Sequence, residues 1–438
     1  LDPYISPDLT PTPPPLSAQE PGVVPAAGPL IRHAFLEQAQ RAGYHALPEV
    51  PLVRQQADTF FVMASVAAHT ALFEPAAART HTRYAVAQRV FEGNRLEDVG
   101  VYPLSLPFDV MLSFFRFADA SALPALDFTH RFLRDAVGIA PETLYYCTTR
   151  GLGLEQALYA AGAQTRQVVL WEKDRPLRLG PGRPQGQYLK LYLPYRHGLL
   201  PIAVLGFIPL PDGLAVDSAF FLERLALVRE AQPHPFAASS HRDLLRALRA
   251  DPALARLGER ALYRWAAHLR ALLMLLHDGA DIGGKGAGHV LNKMVRDLAY
   301  TVHAHSAPIR LEALLTACAR GLAHSGYALD PADLSGPRAA LEEALDRAAR
   351  QIRQELARLE HAVRRQGLEA VDLARFASER GLRPEWARQR LQQLGHVLPA
   401  SHGPERYSLR NAAFPFESCT FAPPLQPRAF LQAAEARR

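Results

Sequence analysis

The sequence predicts an α+β protein: a largely antiparallel sheet with flanking helices, then an all-α region and a small winged-helix unit. Three observations carry this. β-type runs crowd residues 59 to 210 with few helices between them, and beyond about 236 apolar residues recur at helical spacing. Residues 367 to 410 then read helix, glycine turn, helix, short strand, glycine-proline turn, short strand.

In order along the chain, residues 1–29 carry nine prolines and predict a disordered or extended tail. From PLIRHAFLEQAQRAGY, Ile31, Phe35, Leu36 and Ala39 mark one face of a first helix. TFFVMAS (59–65), RYAVAQRVF (83–91) and VMLSFFRF (110–117) read as strands. A helix through LDFTHRFLRDAVG follows, then strands at LYYCT, QVVLWEK, YLKLYLPY and LLPIAVLGFIPL. Residues 30–236 thus form the first domain and 237–366 a helical one. The latter includes a long helix at 338–366 with a seam of Leu341, Leu345, Ala348, Ile352, Leu356, Leu359 and Val363. In the winged unit, Leu373, Phe376, Leu382, Trp386, Leu391 and Leu394 are the expected core. Residues 411–438 are expected to be an extended tail that docks back.

Composition narrows the function classes. No apolar run is long enough to span a membrane and the first residues do not suit a signal peptide, so a cytoplasmic protein is expected. Cys147, Cys318 and Cys419 lie too far apart for a disulfide framework or zinc knuckle. His303 and His305 would point to opposite faces of a helix, so no metal is expected. The net charge is +6, made by forty-five arginines and four lysines against 43 acids. Arginine forks onto phosphates, so nucleic acid is an expected partner class beside a protein partner or homo-oligomer. In the winged unit, Arg383, Glu385, Arg388 and Gln392 would face outward from the second helix, with Arg406 in the wing.

GADIGGKG at 279–286 comes one residue short of a phosphate loop, with Gly286 where a hydroxyl belongs. Such a loop follows a strand, whereas ALYRWAAHLRALLMLLH before it is helical. The pattern therefore predicts a turn between helices.

Its surroundings resemble a known family. HLRALLMLLHDGADIGGKGAGHVLNKMVRDLA is similar to the helical-domain signature of alanyl-tRNA synthetases, with His268, Arg270, Ala271, Asp278, Gly279, Gly288, Val290 and Leu291 in register. IRHAFLEQAQRAGYHALPEVPLV resembles that family's opening helix and strand, QRVFEGNRLEDVG its motif 2 loop, MLSFFRFAD the strand after it, and PLPDGLAVDSAFFLERL its motif 3. The likeness spans about residues 30 to 366 and lacks the family's editing and C-terminal domains. It implies a class II synthetase-like sheet followed by a helical tRNA-binding domain, on which Lys285 and Lys293 would meet nucleic acid.

The resemblance also implies a site that joins an amino acid to ATP with Mg²⁺. Asp217 matches the aspartate that holds the amino group, and Arg224 the motif 3 arginine on the triphosphate. Around them the pattern departs. Two motif 3 glycines are Ala219 and Phe221, and a phenylalanine there would tend to fill the adenine pocket. Glu92 stands at the motif 2 clamping arginine, leaving Arg89 or Arg95 as nucleotide-binding substitutes. Val110 replaces a glutamate, LGPGRPQG lacks the family's cysteines, and Gly284 falls at the asparagine that reads the acceptor stem. These departures point to a degenerate site needing no cofactor, in a protein that binds nucleic acid or a partner. Retention of Asp217 and Arg224 as catalytic residues keeps an active amino-acid-activating enzyme as the alternative.

Overall fold

In the computed structural model the described residues are 26–54, 59–74, 79–172, 176–179, 184–196, 198–303, 307–398, 414 and 427–436. Two compact units emerge. The first takes residues 1–243, 318–329 and 407–438, and the second 244–317 and 330–406.

The first unit is α+β around a mixed nine-stranded sheet. Its strands are β1 (His45–Ala46), β2 (Arg83–Phe91), β3 (Phe108–Asp119), β4 (Tyr145–Thr149), β5 (Val168–Trp171), β6 (Pro176–Arg178), β7 (Gln185–Tyr195), β8 (Gly198–Leu210) and β9 (Gly213–Phe221). The order is β1-β2-β3-β9-β8-β7-β4-β5, with β6 on β7. The centre is antiparallel as expected, but β1–β2 and β4–β5 are parallel. Expected strands at 83–91, 110–117 and 145–210 are present. TFFVMAS is not one: Phe61 makes an isolated bridge to Val53, and Ser65 begins the short helix Ser65–Ala68. Phe61 packs edge-on against Phe91, and the Ser65 hydroxyl meets that of Ser113 at 2.7 Å.

Behind the sheet lie α1 (Ala27–Arg41) and α3 (Leu123–Phe132), counting Ser65–Ala68 as α2. Ile31, Phe35 and Ala39 of α1 are buried as their spacing requires, and Phe35, Phe128, Phe132, Phe114 and Phe220 form one aromatic cluster. The helix begins at Ala27, inside the predicted tail; Pro29 is tolerated because first-turn amides have no intrahelical partner. The rest of that tail, 1–25, lies outside the described residues. Next come α4 (Leu154–Ala160) and α5 (Leu222–Arg229). Glu230 just beyond α5 accepts from the Ala27 amide (3.2 Å) and from Ser239 N (2.7 Å) at the start of α6 (Ser239–Ala250). One carboxylate thus serves two helix N-termini.

The second unit is helical. It holds most of α6, α7 (Glu259–His277), α8 (Gly286–Val302), the start of α9 (Leu311–Ala323), α10 (Pro331–Gln366), α11 (Leu373–Glu379) and α12 (Pro384–Gln393). α10 starts seven residues earlier than its pattern suggests, because Asp330 and Asp333 form a reciprocal capping box. Its whole expected seam is buried. The glycine stretch is a turn between α7 and α8, and Gly288 is where glycine is needed. A Cβ there would sit 2.7 Å from Asp281 O and 2.8 Å from Gly283 N, whereas one on Gly284 would meet nothing within 4 Å. Gly288→Ala is therefore expected to cost about 1–3 kcal/mol in denaturant unfolding, and Gly284→Ala within about 0.5 kcal/mol of nothing. Equal effects would contradict this geometry.

Two further expectations change. Leu394, placed in the winged-unit core, is exposed, while Leu382, Trp386 and Leu391 are buried. The wing, residues 399–410 with Arg406, lies outside the described residues, leaving a helix-turn-helix. The predicted extended C-terminal tail contains α13 (Pro427–Ala436), whose Leu431 is buried against Cys147, Val169 and Trp171. Cys419 and His305 lie outside the described residues, and no helix described is long and apolar enough to cross a membrane.

Candidate functional site

Asp217 lies mid-strand in β9. Register places Phe115, Asp217, Gly206 and Tyr188 in one row across β3, β9, β8 and β7, so their side-chain positions share a face. On that face Phe73, Tyr84, Val86, Phe115, Phe117, Leu177, Leu179, Ile208 and Ala215 form an apolar cluster. Burial there pushes the Asp217 carboxyl up to about 8. Its Oδ1 is buried and has no hydrogen-bond partner among the described residues. Burial and the charge of Asp217 together raise the Tyr188 phenol.

Arg224 lies in the first turn of α5, which follows β9 directly, and is 1% exposed. Its guanidinium donates to the Pro201 carbonyl at 2.7 Å and lies over the Phe221 ring, 3.8 Å from the centroid. Phe221 itself is 8% exposed. Glu223, between them in sequence, is buried and accepts from the hydroxyls of Ser240 and Ser325, the latter at 2.6 Å, with His241 Nδ1 at 4.0 Å.

Arg89 is held elsewhere. Its Nε and backbone N both donate to Glu49 Oε1 at 2.8 Å, which also accepts from the Tyr327 hydroxyl at 2.9 Å. Arg89 and Arg32 lie over the Tyr327 ring at 5.2 and 4.9 Å. Arg95 is exposed on the loop after β2, and Glu92 is half-buried. The structure therefore places Asp217 in β9 and Arg224 in α5, the next element along the chain, and ties Arg89 to Glu49.

In the second unit, Lys285 and Lys293 are exposed at the start and middle of α8, with exposed His289 between them at helical spacing. Arg388 is half-buried and Gln392 exposed on α12. Arg383 does not face outward as expected: it is ion-paired with Asp297, which also lies 3.3 Å from Nε2 of the buried His268. Burial lowers His268, with Asp297 opposing. Trp386 stacks on Tyr300 at 4.3 Å and 4°, and the Tyr300 hydroxyl donates to Gln389 at 2.8 Å. Arg390 pairs with Glu360 at 2.8 Å. One side of α12 is thus committed to α8 and α10. Among the described residues no group of three or more His, Cys, Asp or Glu is placed to hold a metal.

Sequence reasoning missed Leu177, Glu223 and the Glu49–Tyr327 pair. A signal existed for the first: Gly186 and Gly206 interrupt strand patterns, and an isolated glycine in a strand marks close approach by another group.

Comparison with known proteins gives the relationship. No family model matches the chain. It is 26% identical over 314 residues to the alanine–tRNA ligase of Acidithiobacillus ferridurans, covering 61% of this chain and 34% of that protein. The Nitrosomonas europaea alanine–tRNA ligase is 27% identical over 303 residues, covering 61% and 35%. Thermotoga maritima alanine–tRNA ligase matches over 115 residues at 28%, covering 26% and 13%. Among solved structures, apo histidyl-tRNA synthetase of S. aureus aligns with TM-score 0.31 and 10% identity, covering 46% of this chain and 66% of that one. The chain is related to the aminoacyl-tRNA synthetases. Specifically, it is a distant homologue of the alanine–tRNA ligases over about three-fifths of its length, and it spans about a third of the length of those relatives.

Proposed function

We propose that this chain is a synthetase-like pseudo-enzyme of the class II kind, with a degenerate ATP site, that works by binding tRNA-like RNA, DNA or a protein partner. The observation carrying this reading is the seating of Phe221 on Arg224. The ring covers the guanidinium that would meet a triphosphate, and that guanidinium already serves the Pro201 carbonyl. Arg89, tied to Glu49, is not placed as a phosphate clamp. ATP with Mg²⁺ does not fit these residues. For nucleic acid, the exposed Lys285 and Lys293 supply point charges along α8, and Arg388 and Gln392 lie on α12.

Calorimetry with ATP, Mg²⁺ and alanine tests the first half: no saturable heat is expected. Binding of tRNA or duplex DNA tests the second. It should weaken steeply with salt, and Lys285→Glu with Lys293→Glu should reduce both affinity and salt slope. Saturable ATP binding would reverse the reading.

A second reading is favoured by Asp217. A carboxylate with a buried, unpartnered oxygen suits a substrate ammonium, as in an enzyme that activates a small amino acid such as alanine with ATP for tRNA or another acceptor. On that reading, amino-acid-dependent pyrophosphate exchange is present and is lost in Asp217→Asn.

A further inference from the structure

The sheet face that carries Asp217 has a space filled from another strand. Gly206 pairs with Asp217 across β8–β9 and with Tyr188 across β8–β7. Gly186 lies two residues before Tyr188 on β7, hence on the same face. Opposite Gly186, β6 places Leu177, which is 5% exposed. Its Cδ2 fills the space above Gly206 that a side chain there would take, and Asp217 Cβ borders the same space at 3.9 Å. Gly206 thus leaves a gap beside Asp217, and a leucine occupies it.

We infer that Leu177 is the occluding residue of an ammonium subsite: with its outer carbons in place Asp217 faces hydrocarbon, and with them withdrawn the same space takes a primary ammonium paired to Asp217. The inference rests on the second reading above, because it deepens the role of Asp217. The chemistry follows from what the carboxylate lacks. A carboxyl with a buried, unpartnered oxygen calls for a cation that donates hydrogen bonds. The gap is the size of a leucine's end, so it suits a primary ammonium on a short chain, whereas a quaternary ammonium has no hydrogen to donate. Because burial holds Asp217 protonated near neutral pH, taking up an ammonium restores the carboxylate and releases one proton.

The test is calorimetry on the full chain, with ethylammonium and L-alanine as probes and tetramethylammonium as control. Leu177→Ala is expected to bind both probes at least roughly tenfold tighter than the unsubstituted chain. It should ignore tetramethylammonium and show a buffer-dependent heat from the released proton. Adding Asp217→Asn should abolish the gain. Leu177→Val, which removes one carbon and keeps strand propensity, should show a smaller gain and serves if the alanine variant does not fold by circular dichroism. No gain in a folded variant, or a gain that survives Asp217→Asn, would overturn the inference. Alanine binding by the unsubstituted chain as tight as by Leu177→Ala would also overturn it, while leaving the amino-acid reading intact. A gain in Leu177→Ala without pyrophosphate exchange would sustain it and remove the enzyme reading.

Discussion

Asp217→Asn is expected to stabilise the protein at pH 8 to 9, by several kcal/mol, and to leave it nearly unchanged at pH 4. The carboxyl is raised from 3.8 to about 8 by burial. Between those values the folded chain keeps a proton that the unfolded chain releases, so stability falls as pH rises through this window. Each tenfold difference in proton affinity between the two states corresponds to about 1.36 kcal/mol, giving a penalty on the order of 5 kcal/mol once pH exceeds the folded value. An asparagine of the same shape carries no charge and escapes that penalty. Denaturant unfolding of both proteins across pH 4 to 9 measures the difference. Curves that run parallel over the whole range would show that Asp217 does not titrate abnormally. A residue whose removal stabilises a fold is the mark of a group kept for a purpose other than stability.

Glu223→Ala should act in the opposite direction. Its carboxylate is buried among Ser240, Ser325 and His241. Truncation takes this acceptor from two buried hydroxyls, and a buried polar group left without its partner costs about 1–3 kcal/mol each. Glu223→Gln keeps the shape and one good acceptor, so about half that loss is expected from the same principle. Urea midpoints for the two variants would settle the ranking; an alanine variant as stable as the original would show that the network contributes little. Glu223 and Arg224 are adjacent in sequence and both buried, yet one joins three chain segments while the other is stacked beneath Phe221.

Much of the fold was legible. Strands of eight or more residues, such as β2, β3 and β8, announce themselves by long apolar or alternating runs, and α10 by its seven-position seam. β1 and β6, two and three residues long, carry no such signal, and they place the parallel edge and Leu177. TFFVMAS has the composition of a strand but spends its side chains on Phe91 and Ser113. The site was legible only where a motif carried it. Asp217, Arg224 and Phe221 stand in one short stretch that can be read together. Arg89 reads equally well as a phosphate clamp until Glu49, 40 positions away, and Tyr327, 278 positions from Glu49, are seen to hold the same oxygen. Arg383 likewise depends on Asp297, 86 positions away. Commitments made across such separations leave no local pattern.

The three-segment make-up of the first unit has a consequence for biosynthesis. Glu223 waits for Ser325 and Glu49 for Tyr327, both carried on the returning stretch 318–329, and Leu431 of α13 arrives later still to cover Cys147 and Trp171. Domains commonly fold in order as they leave the ribosome. Here the first 243 residues emerge with Glu49 and Glu223 each lacking one of its donors, and the first part of the helical unit, 244–317, is synthesised before those donors arrive.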